Sequence, residues 1–287
     1  MNMKLLVTHH APDIDAITSV WLLKRFDPQQ YADAKILFVD AGKKLPVTVR
    51  EEHNAHEEDI THVDTGEEKF DHHQTDRGMQ RVSAASLVYD DLIARHPELK
   101  DDWALQQVAE YAVADDHFED YFWPEASHER YLFTLRWILH GLEYTQLHDD
   151  DSQTVFGMKC LDGIYASLKE RKRAMEVMDE GIEFSTKWGK GIGLLTSNQA
   201  VLRYAQMKGF NLVIQKDPRQ GNIRIKAAPL PGIDLTALHE TILKKDTKGS
   251  WFFHKGRHMV LNGSQKISQK PSPLSLEEVI EIAKNIV

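Results

Sequence analysis

The chain has 287 residues, of which 41% are hydrophobic and 28% charged, and its formal net charge is −9 at pH 7. This length suits one large or two moderate domains. The negative charge disfavours a protein that coats long nucleic acid through a basic surface, but it is compatible with a small phosphorylated substrate held by metal ions. The single cysteine excludes an internal disulfide framework. We expect a cytoplasmic protein, because the apolar runs are too short to span a membrane and no signal segment precedes the first strand.

The first functional motif follows the first predicted strand. Residues 4–8 are predicted to form a buried strand and residues 14–26 a helix, and His9, Asp13 and Asp15 lie at the junction. Two carboxylates held this close repel each other unless a cation or a proton lies between them. Taken alone, however, an Asp-x-Asp sequence after a strand usually caps the following helix.

A second motif follows the predicted strand at residues 60–63. It begins with Asp64 and ends with Asp71, His72 and His73. Carboxylates and imidazoles are ligands of Mn, Zn and Fe, and aspartate readily bridges two ions. A His-His pair alone is usually a surface feature. Because open α/β sheets bind ligands at the carboxyl ends of their strands, the two motifs together predict a metal site.

Taken together, the two motifs resemble the signature of the DHH phosphoesterase superfamily, which is named after its Asp-His-His triplet. This superfamily includes RecJ-type exonucleases, oligoribonucleases, cyclic dinucleotide phosphodiesterases and family II inorganic pyrophosphatases. Its members bind two divalent ions, typically Mn, and hydrolyse a phosphoester or phosphoanhydride. The resemblance covers roughly the first 120 residues and implies that His9 and Asp13 hold one ion. Asp15, His72 and Asp115 would hold the other ion, and Asp64 would bridge the two.

The resemblance also implies roles for residues outside these two ion positions. Asp71 would orient a neighbouring histidine as a hydrogen-bond acceptor. His73 would contact the scissile phosphate or protonate the leaving oxygen. The superfamily has a further aspartate at about the end of the helix predicted at 103–114, for which Asp115 is the better match and Asp116 the alternative. Acidic runs such as residues 149–151 are most simply solvated faces and caps.

Alternating strands and helices predict an α/β fold with a parallel sheet. We predict an N-terminal DHH-type metal-binding catalytic domain at 1–150, a helical connector at 151–190 and a smaller substrate-binding α/β domain at 191–287. Long helices are predicted at 126–147 and 152–188. The glycine-rich segment that follows them is predicted to be a linker or turn near a domain boundary, because it precedes a strand and does not open a helix.

A predicted hairpin near the C-terminus carries the substrate-binding candidates. A glycine lets phosphate approach the backbone, arginine offers a planar fork and lysine a point charge. The alternative is an ordinary turn with solvent-facing cations. This region loosely resembles the end of the Myg-type family, which is associated with metal-dependent 3′–5′ RNA exonuclease activity, although residues 9–15 follow the general DHH pattern. The candidates are His254, Lys255, Gly256, Arg257, Asn262 and Gly263.

The resemblance thus implies a hydrolase, namely a phosphodiesterase or exonuclease-type nuclease with two Mn²⁺ ions, for which Mg²⁺ or Co²⁺ are alternatives. Its partner would be a short oligonucleotide or cyclic dinucleotide bound in a cleft between the domains, without a membrane; a homodimer is left open. Alternative functions are an inorganic pyrophosphatase or phosphomonoesterase on the same ions, or a non-catalytic nucleotide sensor. Aromatic side chains could stack on nucleobases, although they are more often core residues. Candidates for stacking are Phe118, Tyr121, Trp123, Trp251 and Phe252.

Overall fold

The computed structural model describes residues 3–263 and 270–286, and the chain divides into two compact units, Met1–Leu168 and Lys169–Val287. The boundary between the units falls within one long helix, Asp150–Asp179. The three-part division at residues 150 and 190 stays a prediction. Within the described part of the chain, no helix combines the length and the apolarity needed to cross a bilayer.

The first unit is built on a parallel three-stranded sheet. Its strands are β1 (Leu5–His9), β2 (Lys35–Val39) and β3 (Ile60–His62), and β1 lies in the centre. Leu5 pairs in register with the first residue of each neighbouring strand. The apolar run of β1 is completely buried, as expected for the central strand of a parallel sheet. This arrangement brings the carboxyl ends of β1 and β3 to the same edge.

Helices surround this sheet and supply most of the core. The first helix is buried over most of its circumference and packs with the fourth and fifth helices, so that Leu22, Leu92 and Leu105 lie in one apolar cluster. Short 3₁₀ turns connect several elements. The helices are α1 (Ile14–Phe26), α2 (Pro28–Tyr31), α3 (Val47–Glu52), α4 (Ala84–Arg95), α5 (Trp103–Asp116), α6 (Leu135–Thr145) and α7 (Asp150–Asp179).

The second unit is built on a mixed six-stranded sheet and begins with the last turns of α7. Its strand order is β4-β5-β6-β7-β9-β8, in which β5 and β6 pair in parallel and the other neighbours pair antiparallel. The α/β class predicted from the sequence is confirmed. The strands are β4 (Ile182–Thr186), β5 (Gly189–Leu195), β6 (Leu212–Lys216), β7 (Ile223–Ala227), β8 (Phe252–Phe253) and β9 (Met259–Asn262), and the helices are α8 (Ala200–Met207), α9 (Thr236–Lys245) and α10 (Leu276–Lys284).

The structure corrects the prediction for the glycine-rich segment. It is not a linker but part of strand β5, which pairs with β4 where the sequence predicted the end of a long helix. A Cβ atom built on Gly191 would lie 2.5 Å from the Phe184 ring, and one on Gly193 would lie 2.5 Å from Ile280. The glycines are therefore explained by close packing within the sheet and against α10. The helix predicted at 126–147 is likewise shorter, because a 3₁₀ turn precedes α6.

Candidate metal centre

The loop between β1 and α1 holds two aspartates whose carboxylates meet helix N-termini. Asp13 is the N-cap of α1, and its Oδ1 accepts hydrogen bonds from the backbone N–H of Asp15 and Ala16 at 2.9 and 3.0 Å. Asp15 accepts from the N–H groups of Ala84 and Ala85, at the start of α4, at 2.7 and 2.8 Å. Both carboxylates act as caps, which fixes their positions and still leaves lone pairs for a cation.

The loop after β3 turns sharply at its first aspartate. Asp64, Gly66 and Glu67 all have left-handed backbones, with φ of 55°, 83° and 52°. Such conformations are costly for residues other than glycine and tend to occur at functional sites. The N–H of Asp64 donates to the carbonyl of Phe70 at 2.9 Å, which closes the loop. A Cβ on Gly66 would lie 3.1 Å from the His62 ring, so the turn is also tightly packed.

Asp71 holds the second half of this loop. Its carboxylate is fully buried and accepts hydrogen bonds from the backbone N–H of Glu67 at 2.7 Å and of His73 at 3.0 Å. The same carboxylate lies 2.9 Å from Nδ1 of His73. Burial raises the pKa of Asp71, but these hydrogen bonds outweigh burial and lower it. An ionised Asp71 therefore fixes the orientation of the half-exposed His73 ring.

The two loops and the end of α5 bring imidazoles and carboxylates together. The sharing of Asp64 and His72 between groups makes these a single connected cluster, which we call the acid–histidine cluster. Within each group, one ligand atom of every member lies within 4.8 Å of the others. The groups are His9 with Asp13 and Asp64, Asp15 with His72 and Asp116, and Asp64 with His72 and His73.

Distances within the cluster are those of close polar contacts. Nε2 of His9 lies 3.2 Å from Asp64 Oδ2, and Nε2 of His72 lies 3.3 Å from Asp64 Oδ1. His72 Nε2 is also 3.7 Å from Asp15 Oδ2, and its Nδ1 is 3.6 Å from Asp116 Oδ2. Among the described residues, neither the buried Asp64 Oδ1 nor the buried His72 Nε2 has a hydrogen-bond partner of acceptable geometry. These two atoms fit a metal ligand pair, since a buried polar atom is rarely left without a partner.

The electrostatics of the cluster show a shortage of positive charge. Burial, followed by the charges of Asp64 and Asp13, raises the pKa of Asp15 well above its ordinary range. Burial alone would lower the pKa of His9 and His72, but the nearby Asp64 raises both to about 9. Protons thus balance the carboxylates in the protein alone. A divalent cation would satisfy the same carboxylates more directly.

The structure brings Asp116, and not the favoured Asp115, into this cluster. Nη1 of Arg136 lies 2.9 Å from Asp115 Oδ2 and also donates a hydrogen bond to the backbone carbonyl of Asp115. Burial raises the pKa of Asp115 to about 6, although Arg136 opposes this. Consecutive helical residues project in different directions, and it is the Asp116 carboxylate that lies 3.6 Å from Nδ1 of His72. Helical periodicity does not separate the two aspartates, because Asp115 lies three and Asp116 four residues after the buried Ala112.

Asp150 supports the cluster and was missed by sequence reasoning, which treats residues 149–151 as a solvated acidic run. Its Oδ2 lies 2.6 Å from Nδ1 of His10, and its Oδ1 accepts from the N–H of Ala11 at 2.9 Å. Ala11 has a left-handed backbone with φ of 50°. The start of α7 therefore holds the loop that carries His9 and Asp13. The contact joins residues 140 positions apart, and no local pattern indicates it.

The predicted substrate-binding hairpin lies in the second unit and differs in character. His254, Lys255, Gly256 and Arg257 form the exposed turn between β8 and β9. Arg257, not Gly256, has the left-handed backbone, with φ of 59°. The guanidinium of Arg257 lies 2.8 Å from Asp234 Oδ2. This turn presents cations to solvent, and its role in substrate binding stays a prediction.

Asn262 and Gly263, at the end of β9, are engaged in the fold itself. The Asn262 side chain is fully buried, donates to the carbonyls of Ser250 and Lys270 at 2.7 Å, and accepts from the N–H of Ser272 at 2.7 Å. Gly263 has φ of 91°, and a Cβ there would lie 2.3 Å from the Asn222 side chain. The hydrogen-bonding groups of Asn262 are thus occupied within the protein.

Comparison with known proteins adds little to this geometry. No protein-family model matches the chain, and no curated protein matches it either. Among solved structures, it is similar to a DHH domain described as a member of a family of ribosomal proteins, with 13% sequence identity and a TM-score of 0.36. The similarity covers 98% of this chain and 85% of the other. A likeness this weak carries no argument about chemistry. Any argument about chemistry depends on the acid–histidine cluster.

Proposed function

We propose that the protein is a metal-dependent phosphoesterase whose metal centre is the acid–histidine cluster. One observation carries this proposal: the buried atoms Asp64 Oδ1 and His72 Nε2 lie where three groups of ligand-type side chains overlap. They are 3.3 Å apart, and among the described residues neither makes a hydrogen bond of acceptable geometry. Asp64 belongs to two of these groups and is the natural bridge between two ions. The proposed ligands are His9, Asp13 and Asp64 for one ion and Asp15, Asp64, His72 and Asp116 for the other.

The chemistry of the remaining residues agrees with this proposal. Divalent ions, when bound, supply positive charge to the phosphate and make a water molecule nucleophilic near neutral pH. Asp71 accepts a hydrogen bond from Nδ1–H of His73, which leaves Nε2 of that ring for the substrate. We assign to His73 the contact with the phosphate or the protonation of the leaving oxygen. This partly exposed ring is the member of the cluster best placed to meet solvent.

For the substrate, we propose a phosphodiester of a short oligonucleotide or cyclic dinucleotide, with Mn²⁺ as the working ion. The support is the order and spacing of His9, Asp13, Asp15, Asp64 and the Asp-His-His triplet, which resemble those of phosphoesterases that act on such substrates. Hydrolysis of pyrophosphate or a phosphomonoester on the same residues is the competing activity. The net charge of −9 is compatible with either substrate, because the ions would supply the local positive charge.

The test is a substrate panel with the full chain. Protein freed of metal by a chelator is reloaded with Mn²⁺, Mg²⁺, Co²⁺ or Zn²⁺ and offered bis-p-nitrophenyl phosphate, dinucleotides, cyclic dinucleotides, longer RNA and pyrophosphate. We expect phosphodiester turnover with Mn²⁺ that the chelator abolishes and added metal restores. Fast hydrolysis of pyrophosphate alone would replace the phosphodiesterase with a pyrophosphatase. Tight nucleotide binding without turnover of any substrate would identify a sensor and reject the enzyme.

A further inference from the structure

A cavity of about 200 Å³ opens beside the acid–histidine cluster in the first unit. Three cluster aspartates form part of its wall. The rest of the wall comes from Ile14 and Asp115, from the segment after α5 and from α6. The segment after α5 and α6 contribute Phe118, Arg136 and Trp137.

The wall away from the cluster includes two aromatic side chains, Phe118 and Trp137. Phe118 has a left-handed backbone with φ of 54°, and its side chain is largely exposed. An exposed phenyl ring gains no stabilisation from burial, and its left-handed backbone adds strain of a kind that is most often kept at functional sites. Trp137 is 37% exposed, and its ring lies edge-on to His140 with the centroids 5.6 Å apart. Two aromatic side chains with accessible surface therefore line one small cavity.

A guanidinium lies on the same wall. The Arg136 carbon that carries the guanidinium nitrogens is 5.7 Å from the centroid of the Phe118 ring, a cation–π distance. Both hydrogen bonds to Asp115 use Nη1. In the part of the chain that the structure describes, these bonds hold the guanidinium in place and leave Nε and Nη2 for a ligand. A fixed guanidinium fork suits the oxygens of a phosphate.

We propose that this cavity binds the nucleobase of a nucleotide whose phosphate lies at the acid–histidine cluster. The base contacts Trp137 and Phe118, and Arg136 meets a phosphate oxygen. The inference rests on the proposed function and sharpens it. Pockets for drug-sized ligands have roughly 300–1,000 Å³, so a cavity of this size suits a single ring system. Pyrophosphate would leave the aromatic wall unused, so the cavity favours a nucleotide over an inorganic substrate.

The test compares ligands that differ only in the base. Binding of adenosine 5′-monophosphate and of ribose 5-phosphate to the Mn²⁺-loaded full chain is measured by calorimetry. Turnover of a dinucleotide is compared with that of the same dinucleotide lacking one base. We expect wild-type protein to prefer the base-bearing ligand in both assays. Trp137→Ala should reduce that preference by roughly 5- to 150-fold, the range expected for loss of one stacking contact, while ribose 5-phosphate binds as before.

Three further variants separate stacking from general damage. Trp137→Phe should restore most of the preference, because a ring remains. Phe133→Ala removes a more exposed ring that does not line the cavity, and should change nothing. Arg136→Gln should weaken both ligands by a similar factor, because the phosphate is common to them. A preference that survives in Trp137→Ala, or that wild-type protein lacks, would overturn the inference.

The outcomes also separate this inference from the proposed function. Turnover of both dinucleotides at equal rates would retain the phosphoesterase and reject the base subsite. A preference for adenosine 5′-monophosphate that depends on Trp137, in a protein that hydrolyses no phosphoester, would retain the subsite and reject the enzyme.

Discussion

The acid–histidine cluster of the first unit and the end of strand β9 in the second unit both contain buried polar side chains, but these side chains differ in their hydrogen bonding. Asn262 is fully buried and uses its amide group in three hydrogen bonds to neighbouring backbone. Asp64 Oδ1 and His72 Nε2 are also buried, and among the described residues neither has a partner of acceptable geometry. A polar group that is satisfied within the protein stabilises the fold. One that is not satisfied destabilises it.

This difference separates a structural polar residue from a ligand candidate. An unsatisfied buried group costs about 1–3 kcal/mol, so it is expected where a ligand completes its bonding. By that criterion Asp64 and His72 are ligand candidates, whereas Asn262 belongs to the fold. From the sequence, Asp64 and Asn262 are both plausible ligand-binding residues, and only their surroundings in the structure distinguish them.

The largest expected effect comes from Asp64→Asn. Asparagine tolerates the left-handed backbone, so the fold should be kept. The variant loses the carboxylate that two ligand groups share, and we expect Mn²⁺ affinity and turnover to fall by at least about 100-fold, since even supporting residues of metal sites are worth about 10- to 100-fold. Metal stoichiometry after dialysis and the urea midpoint of the metal-free protein check this. Asp40→Asn, an exposed aspartate just after β2, is the control. Near-normal metal binding by Asp64→Asn would remove Asp64 from the bridging role.

Asn262→Ala should give the opposite result. It deletes three hydrogen bonds and strands buried backbone groups, so we expect the free energy of unfolding to fall by about 2–4 kcal/mol. Mn²⁺ affinity of the folded protein should not change. Urea unfolding and calorimetry measure the two quantities. Asn285→Ala, an exposed asparagine at the end of α10, should cost much less. If Asn262→Ala kept the wild-type free energy of unfolding but lost substrate affinity, Asn262 would be a ligand contact. The contrast drawn between Asn262 and Asp64 would then be wrong.

The parts of the fold that were predictable are those that local pattern determines. The apolar run of β1 and the pattern of α1 identify the centre of the first unit. Strand β4 was missed because it follows a long polar helix and its partner is a glycine-rich segment. What makes those glycines strand residues is the ring of Phe184 and the side chain of Ile280, which meet them only in the folded sheet.

The residue types of the candidate site were predictable from the sequence, but the contacts that hold those residues in place were not. Strand ends identified His9, Asp64 and His72, which the structure brings together. The choice between Asp115 and Asp116 depends on the direction of each side chain around α5, which periodicity leaves open because the two residues lie three and four positions after Ala112. Long-range supports such as the contacts of Asp150 with the first loop leave no local trace. Ion binding by the whole set remains a prediction.

A variant of Asp150 tests how far the cluster depends on such support. Asp150→Asn weakens the contact with Nδ1 of His10 and with the N–H of Ala11, so the loop that carries His9 should be held less firmly. We expect Mn²⁺ affinity to fall about 10-fold, at the lower end of the effects known for supporting residues. Asp151→Asn, an exposed neighbour, is the matched control for charge. Equal Mn²⁺ affinities in the two variants would show that Mn²⁺ binding by the loop that carries His9 does not depend on its contacts with α7.

The smallest expected effect concerns Asp246, a buried aspartate of the second unit that can be compared with Asp64. Both aspartates are buried, but Asp246 accepts hydrogen bonds from the N–H of Lys248 and Gly249 and from the Trp251 indole. Burial raises its pKa, and these bonds together with Ser272 lower it below the ordinary 3.8. A depressed folded-state pKa means that the carboxylate stabilises the fold above the unfolded-state pKa. That contribution is lost as the pH falls through the lower folded-state value.

Asp246→Asn should therefore be least stable relative to wild type at neutral pH, and the difference between the two should narrow as the pH is lowered below about 4. Urea unfolding at a series of pH values measures this, with the exposed Asp179→Asn as control. Metal should not alter the result, because the partners of Asp246 belong to the protein. For Asp64, by contrast, the added ion should change the stability that is measured, since it supplies the missing partner. A pH-independent difference for Asp246→Asn would mean that its hydrogen bonds do not favour the ionised form, and that the two acids are less distinct than their surroundings indicate.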